Sequence, residues 1–319
     1  MKLFQMIKQA VTAWIDDFAP SMGAAISYYT IFSLAPLLII VIAVAGAIFG
    51  EEAVRGQIVG QLQSMMGEEG AKAVQTMIKA ANEPTKGLVA SAVSFVLLLV
   101  GATTVFAELQ SALDRIWHVP EKAKPQGIWA VIRARVLSMG LILGLAFLLM
   151  VSLVTAAAVA AFGTLASGML PGSELLLQAL NIAISVGLST LLFAMIFKYM
   201  PSISIEWRNV WVGAAVTAVM FEVGKWGISL YIGKSGTTET FAAAGSVVVL
   251  LLWVYYAAQI FLLGAEFTKV WANAHGSTTG QQAQAATEHQ KQVAEQGTDA
   301  VRHPKYGPRG EAAQRQRQR

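Results

Sequence analysis

The chain has 319 residues; 55% are hydrophobic, only 13% are charged, and the mean hydropathy is +0.56. Soluble domains carry about 25% charged residues, so this balance argues against an ordinary soluble enzyme. The 23 Lys and Arg against 19 Asp and Glu leave +4, too small an excess to point to nucleic acid, and the absence of cysteine excludes disulfides, Cys-ligated zinc and thiol catalysis.

At the N-terminus, residues 1–21, Leu3, Phe4, Ile7, Val11, Trp14, Ile15 and Phe18 recur at helical spacing. This predicts an amphipathic helix lying in the membrane interface, or packing its stripe on the membrane helices; the two readings are compatible. A bilayer core about 30 Å thick needs roughly 20 apolar residues per helical crossing. Six stretches qualify: Met22–Phe49, Leu88–Leu109, Val136–Phe162, Leu175–Tyr199, Val210–Ile232 and Ala242–Thr268. Hydrocarbon offers no partner to a backbone N–H or C=O, so each is predicted as a helix. The expected fold is all-α: a polytopic bundle of six transmembrane helices within residues 22–275.

The first connection, residues 50–87, is long. It predicts a helical hairpin on the outer side, Glu51–Met66 and Glu68–Ala81, each arm opening with a Glu-Glu pair that suits the positive end of a helix dipole. Asn82-Glu83-Pro84 ends the second arm. From about residue 276 to 319, large apolar residues nearly vanish. This tail cannot bury enough surface to offset its chain entropy and reads as disordered and cytoplasmic.

Lys and Arg counts orient the bundle. One side has Lys2, Lys8, Arg115, Lys122, Lys124, Arg133, Arg135, Lys198 and Arg208, with eight more in the tail; the other has Arg55, Lys72, Lys79, Lys86 and Lys234. The richer side is cytoplasmic, so both termini are expected on the cytoplasmic side of the membrane.

No HExxH, GxSxG or Walker-type motif occurs. Of the histidines, His118 falls in a cytoplasmic connection, and His275, His289 and His303 lie beyond the last span. No metal site, cofactor or catalytic residue is expected. The informative residues are polar groups inside apolar spans, which are costly unless paired. Glu222 and Lys225 in the fifth span are three residues apart and share a helix face. A substrate, ion or proton site and a structural ion pair both fit them. In the sixth span Gln259 and Glu266 share a face with parts of Trp253 and Tyr256; with Glu108 they are further substrate- or ion-binding candidates. Glu266 and Glu108 lie near the cytoplasmic ends of their spans. Interfacial anchoring suits both, with Arg133 and Arg135 as partners. Pro36 predicts a kink or hinge in the first span.

Two stretches together resemble the YihY/BrkB family of bacterial inner-membrane proteins, also labelled virulence factor BrkB. They are Ala24-Ala-Ile-Ser-Tyr-Tyr-Thr-Ile-Phe-Ser-Leu-Ala-Pro-Leu-Leu38 and the last span, Ala244–Thr268, with its Leu-Trp-Val-Tyr-Tyr-Ala-Ala-Gln core. The resemblance covers roughly residues 5–275 and implies a six-helix membrane protein. The family also carries the label ribonuclease BN, but RNA hydrolysis needs metal ligands or an acid–base pair beside a cationic surface, and the histidines here do not cluster. Two functions stay open: a transporter or exporter of a small solute or lipid-linked substrate, and a non-transporting scaffold in envelope assembly. No inverted repeat between the halves is evident. The expected partners are the lipid bilayer and an unknown small-molecule or lipid substrate, without specific nucleic acid; a homo-oligomer stays open.

Overall fold

The computed structural model describes residues 3–81, 88–120, 173–234 and 245–277, with most of 136–151 and residues 132, 154 and 155. All regular structure among these residues is helical. In chain order the helices are α1 (Leu3–Asp16), α2 (Ala19–Phe49), α3 (Glu51–Ala81), α4 (Leu88–Ile116), α5 (Val136–Leu148), α6 (Ser173–Tyr199), α7 (Trp207–Lys234) and α8 (Gly245–Ala274).

Among the described residues, four helical stretches are long and apolar enough to cross a membrane: Ala19–Phe49, Val96–Ile116, Ile182–Tyr199 and Val247–Ala274. The predicted fifth span forms α7, whose 28 residues suffice in length but which is less apolar and is not among the four. The predicted third span is described only in part, as α5. The tail beyond Ser277 and the connection holding Arg133 and Arg135 lie outside the described residues.

Helix α8 is the hub, packing against α1, α2, α3, α4 and α7. Helix α2 also packs on α4, and α6 on α7. Phe193 and Phe197 of α6, Phe221 of α7, and Trp253 and Phe261 of α8 form an aromatic core joining those three helices. Outward-facing residues such as Leu97, Phe147 and Val223 are large, apolar and exposed, as a lipid-facing surface requires.

The α7–α8 contact is built from glycines and threonines in a reciprocal pattern. Thr217 of α7 lies over Gly264 of α8, and Thr268 of α8 lies over Gly213 of α7. Each threonine hydroxyl donates to the carbonyl of the glycine one turn earlier in its own helix, at 2.7 Å. Small residues four apart allow this close approach in the absence of water.

Helix α1 packs on α8 with a face other than most of the predicted stripe: Met6 and Ala10 are buried against Phe267 and Val270, while Leu3, Phe4, Ile7, Val11 and Ile15 of the stripe remain exposed. The α1–α2 joint turns at Phe18, which has φ 58°; the Arg115 guanidinium sits 5.5 Å from the centre of its ring.

The outer hairpin is corrected. Residues Glu51–Ala81 form one continuous 31-residue helix, packed against α2 and α8. Gly67 does not break it, because a single helical glycine costs only about 1 kcal/mol. The Glu-Glu pair read as a second helix start instead contributes Glu68 to an in-helix pair with Lys72 at 2.8 Å. Helix α2 continues through Pro36. The proline ring sits against Gly101 of α4, where an added Cβ would lie 3.1 Å from Pro36 Cγ.

Candidate functional site

Polar groups gather at two places. The first is midway along α7. Lys225 Nζ lies 2.7 Å from Glu222 Oε2, so the predicted ion pair forms. Ser185 of α6 donates to the same carboxylate oxygen at 3.3 Å, tying α6 to α7 through the pair. Both side chains are about one-fifth exposed, less than Val223 between them, which is exposed. One turn away on α8, Tyr256 places its hydroxyl where a Cβ at Gly224 would sit. Gln259 likewise places its amide where a Cβ at Gly23 of α2 would sit. Among the described residues, Tyr256 Oη, both Gln259 amide atoms, Trp253 Nε1 and Ser33 Oγ are buried without a hydrogen-bond partner. Buried polar atoms are normally satisfied, so this run along α8 is an unusual concentration.

The second place is the end of the bundle that carries α1. Lys269 Nζ contacts Glu266 Oε2 at 2.8 Å, Asp17 Oδ2 at 3.1 Å and the Ile116 carbonyl at 2.8 Å. The ammonium group donates hydrogen bonds to Asp17 Oδ2 and the Ile116 carbonyl and lies at ion-pair distance from Glu266, whose two oxygens are buried without a hydrogen-bond partner among the described residues. Asp17 Oδ1 faces His118 Nε2 at 3.3 Å. The cluster joins the α1–α2 joint, the end of α4 and the last turns of α8.

Local sequence explains how His118 arrives there. Helix α4 ends in a Schellman pattern, with Val119 N–H donating to Asp114 O and His118 N–H to Arg115 O. His118 occupies the left-handed position, φ 50°, usually taken by glycine; its ring is thereby turned to Asp17. The same end is fastened by Asp114, whose carboxylate accepts from the Ser202 N–H at 2.7 Å and the Ser202 hydroxyl at 2.6 Å.

Burial tends to raise the Asp17 carboxyl, but hydrogen bonds and charge from His118, Glu266 and Lys269 outweigh it and hold the group well below the usual carboxylate range. A depressed carboxyl stabilises the fold above its unfolded-state value, about 3.8, and that contribution is lost as pH falls toward the lower folded value. Unfolding titrations in detergent between pH about 5 and 2 are therefore expected to show a steeper acid loss in the wild type than in Asp17→Asn, with a constant difference above pH about 5.

The structure revises several expectations. Glu266 is fully buried, with 0% exposure, and is not an interfacial anchor. Its partner is Lys269, which the charge count placed in the tail but which lies inside α8. The Arg133 and Arg135 partners fall outside the described residues. Glu108 is half-buried on α4 and makes no ion pair among the described residues. Asp17, His118 and Lys269 went unread as a site; the one available signal was the Glu266–Lys269 spacing, which equals that of Glu222–Lys225.

These features define a polytopic helical membrane protein whose bundle encloses ionised side chains. The sequence profile of the family described as Virulence factor BrkB matches residues 10–289, and the chain belongs to that family. Among its relatives, a UPF0761 membrane protein of Pseudomonas aeruginosa (strain LESB58) is 28% identical over 259 residues, 79% of this chain and 59% of the relative. One from Stenotrophomonas maltophilia (strain K279a) is 28% identical over 260 residues, 81% of this chain and 59% of the relative. A third, from Ralstonia nicotianae, is 25% identical over 266 residues, 83% and 58% respectively. The chain thus spans less than two thirds of the length of these curated relatives. No solved structure matches it.

Proposed function

We propose that this chain is an inner-membrane transporter or exporter of a small solute or lipid-linked substrate, crossing the bilayer six times with both termini in the cytoplasm. The reading assigns it no chemical reaction, cofactor or nucleic-acid partner. One observation carries it: the run of buried, unpartnered polar atoms on α8, from Trp253 through Tyr256 to Gln259, beside the Glu222–Lys225 pair. Each such atom costs free energy in an apolar interior, and well-packed apolar side chains stabilise a purely structural bundle as well or better. A transported solute would supply the missing partners. The scaffold reading draws support from the tight Gly–Thr seam between α7 and α8, which suits a fixed bundle.

The deciding experiment combines stability with flux in proteoliposomes screened against osmolytes, ions and lipids. Glu222→Gln and Lys225→Met are each expected to destabilise the protein, because each strands a partly buried partner. The double variant should recover much of that loss and yet lose flux. A well-folded double variant with wild-type flux would remove the pair from the transport path, and no flux of any tested class in the wild type would favour the scaffold.

A further inference from the structure

We propose that α1 and the joint between α6 and α7 form one lipid-binding shelf: α1 lies across the end of the bundle, in the plane of the membrane, with its apolar stripe inserted among the phospholipids of the adjoining leaflet. Three observations carry it. The first is the division of the helix surface. At about 100° per residue, α1 presents three separate faces. Met6 and Ala10 are buried on the bundle. Leu3, Phe4, Ile7, Val11 and Ile15 form a second face, 40–77% exposed and centred about 100° around the helix from the first. Gln5, Lys8, Gln9, Thr12 and Asp16 form the third, also exposed. A boundary between hydrocarbon and water suits all three at once: one flank on protein, one in acyl chains, one in water.

The second is direction. Asp17 Oδ2 meets Lys269 at 3.1 Å. About three turns earlier in α1, Met6 still packs with Phe267 and Val270 of α8, and with Val212 and Val216 of α7 beside them. A helix running along α8 would have moved about 16 Å from Lys269 over that length. Helix α1 therefore crosses α8 toward α7 instead of following it, and the turn at Phe18 sets that course.

The third is level. The joints at this end of the bundle are tied together, Lys269 to the Ile116 carbonyl and Asp114 to Ser202. At the α6–α7 joint, Tyr199, Trp207 and Trp211 form an exposed row of touching rings, with Lys198 Nζ 5.5 Å from the centre of the Trp207 ring. Such rings, apolar in body and polar at the edge, gather where a membrane meets water. Phe18 continues the α1 stripe, and Arg115 lies over it, a cation at the border of the apolar face. Among the described residues of this rim, the exposed cations Lys8, Arg115 and Arg208 outnumber the exposed anions Asp16 and Glu206, which complements phosphate headgroups. The inference is independent of whether the protein transports.

The chain has no cysteine, so single spin labels can report each face of α1 in the full-length protein, in nanodiscs of phosphatidylethanolamine and phosphatidylglycerol. Labels at Ile7→Cys and Val11→Cys are expected to be relaxed by oxygen and shielded from a water-soluble nickel chelate. Labels at Gln5→Cys and Gln9→Cys should behave oppositely, with the oxygen-to-nickel ratio several-fold lower. Nickel access at Ile7→Cys and Val11→Cys equal to that at Gln9→Cys would overturn the shelf. So would shielding of the stripe from both probes, which would assign it to a second copy of the chain. The unsubstituted protein gives a second measurement that no misfolded variant can blur. Phospholipids carrying a diazirine close to the headgroup should photolabel residues 3–18 and 207–211. Labelling around Leu97 and Val223 without labelling of residues 3–18 would defeat the proposal.

Discussion

Lys269→Met is expected to destabilise the protein by about 3–5 kcal/mol, among the largest effects of any single charge removal in this chain. The ammonium group meets Asp17, Glu266 and the Ile116 carbonyl together. Its loss leaves the buried Glu266 carboxyl and the Ile116 carbonyl without their cationic partner, and Asp17 with His118 alone. Glu266→Gln is milder, about 1–3 kcal/mol, because Lys269 keeps Asp17 and Ile116. The double variant Glu266→Gln/Lys269→Met should be more stable than Lys269→Met alone, since one stranded carboxylate is gone. Denaturant unfolding of all three in the same detergent, arranged as a double-mutant cycle, reads the coupling. A Lys269→Met protein within about 1 kcal/mol of wild type would mean that the charges are solvated rather than buried.

The second large effect is steric. Gly264→Ala would put a Cβ in collision with Thr217 Oγ1, and within 2.8 Å of its Cγ2 and 2.9 Å of its Cβ. Thr217 cannot swing aside cheaply. It is fully buried, its hydroxyl is bonded to the Gly213 carbonyl, and a threonine Cβ is fixed to the backbone. Overpacking of this kind costs about 1–3 kcal/mol or more, and the larger Gly264→Val should prevent the α7–α8 seam from closing. Thr217→Ala in the Gly264→Ala background removes two of the three clashing atoms and should restore part of the loss. Gly187→Ala is the matched control. Nothing lies within 4 Å of its added methyl, so it should be neutral or stabilise by up to about 1 kcal/mol through helix propensity. Thermal unfolding in one detergent ranks the set; equal behaviour of Gly264→Ala and Gly187→Ala would refute the seam. By contrast, Gly224→Ala meets the far end of the Tyr256 side chain, which can rotate away, so a smaller loss is expected there.

The legible part of the site was local. Glu222 and Lys225 pair as their spacing requires, because residues three apart on a helix face one another whatever surrounds them. The α1 stripe was equally plain, since amphipathic periodicity depends on the order of residues alone. Glu266 was seen but given the wrong environment. Its nearness to the end of an apolar run suggested water, whereas α1 and the end of α4 cover it. Lys269 was hidden by a boundary: hydropathy falls at Thr268, while the helix runs on to Ala274. Asp17 and His118 carried no local signal at all: Asp17 lies 252 residues from Lys269 and His118 lies 151, with α2, α3 and α4 between the two.

What the sequence determined by itself is the class of protein and the helicity of its segments. Apolar runs of this length belong in hydrocarbon, and hydrocarbon forces each backbone to satisfy its hydrogen bonds within a helix; neither step needs to know which helix lies beside which. Tertiary structure alone decided that α3 is one helix lying against α2 and α8, that threonines of α7 and α8 interlock over each other's glycines, and that Asp17, His118, Glu266 and Lys269 share one buried site. Steric fit and charge pairing act over a few ångströms through space, and residues far apart along the chain acquire those distances only when the helices pack.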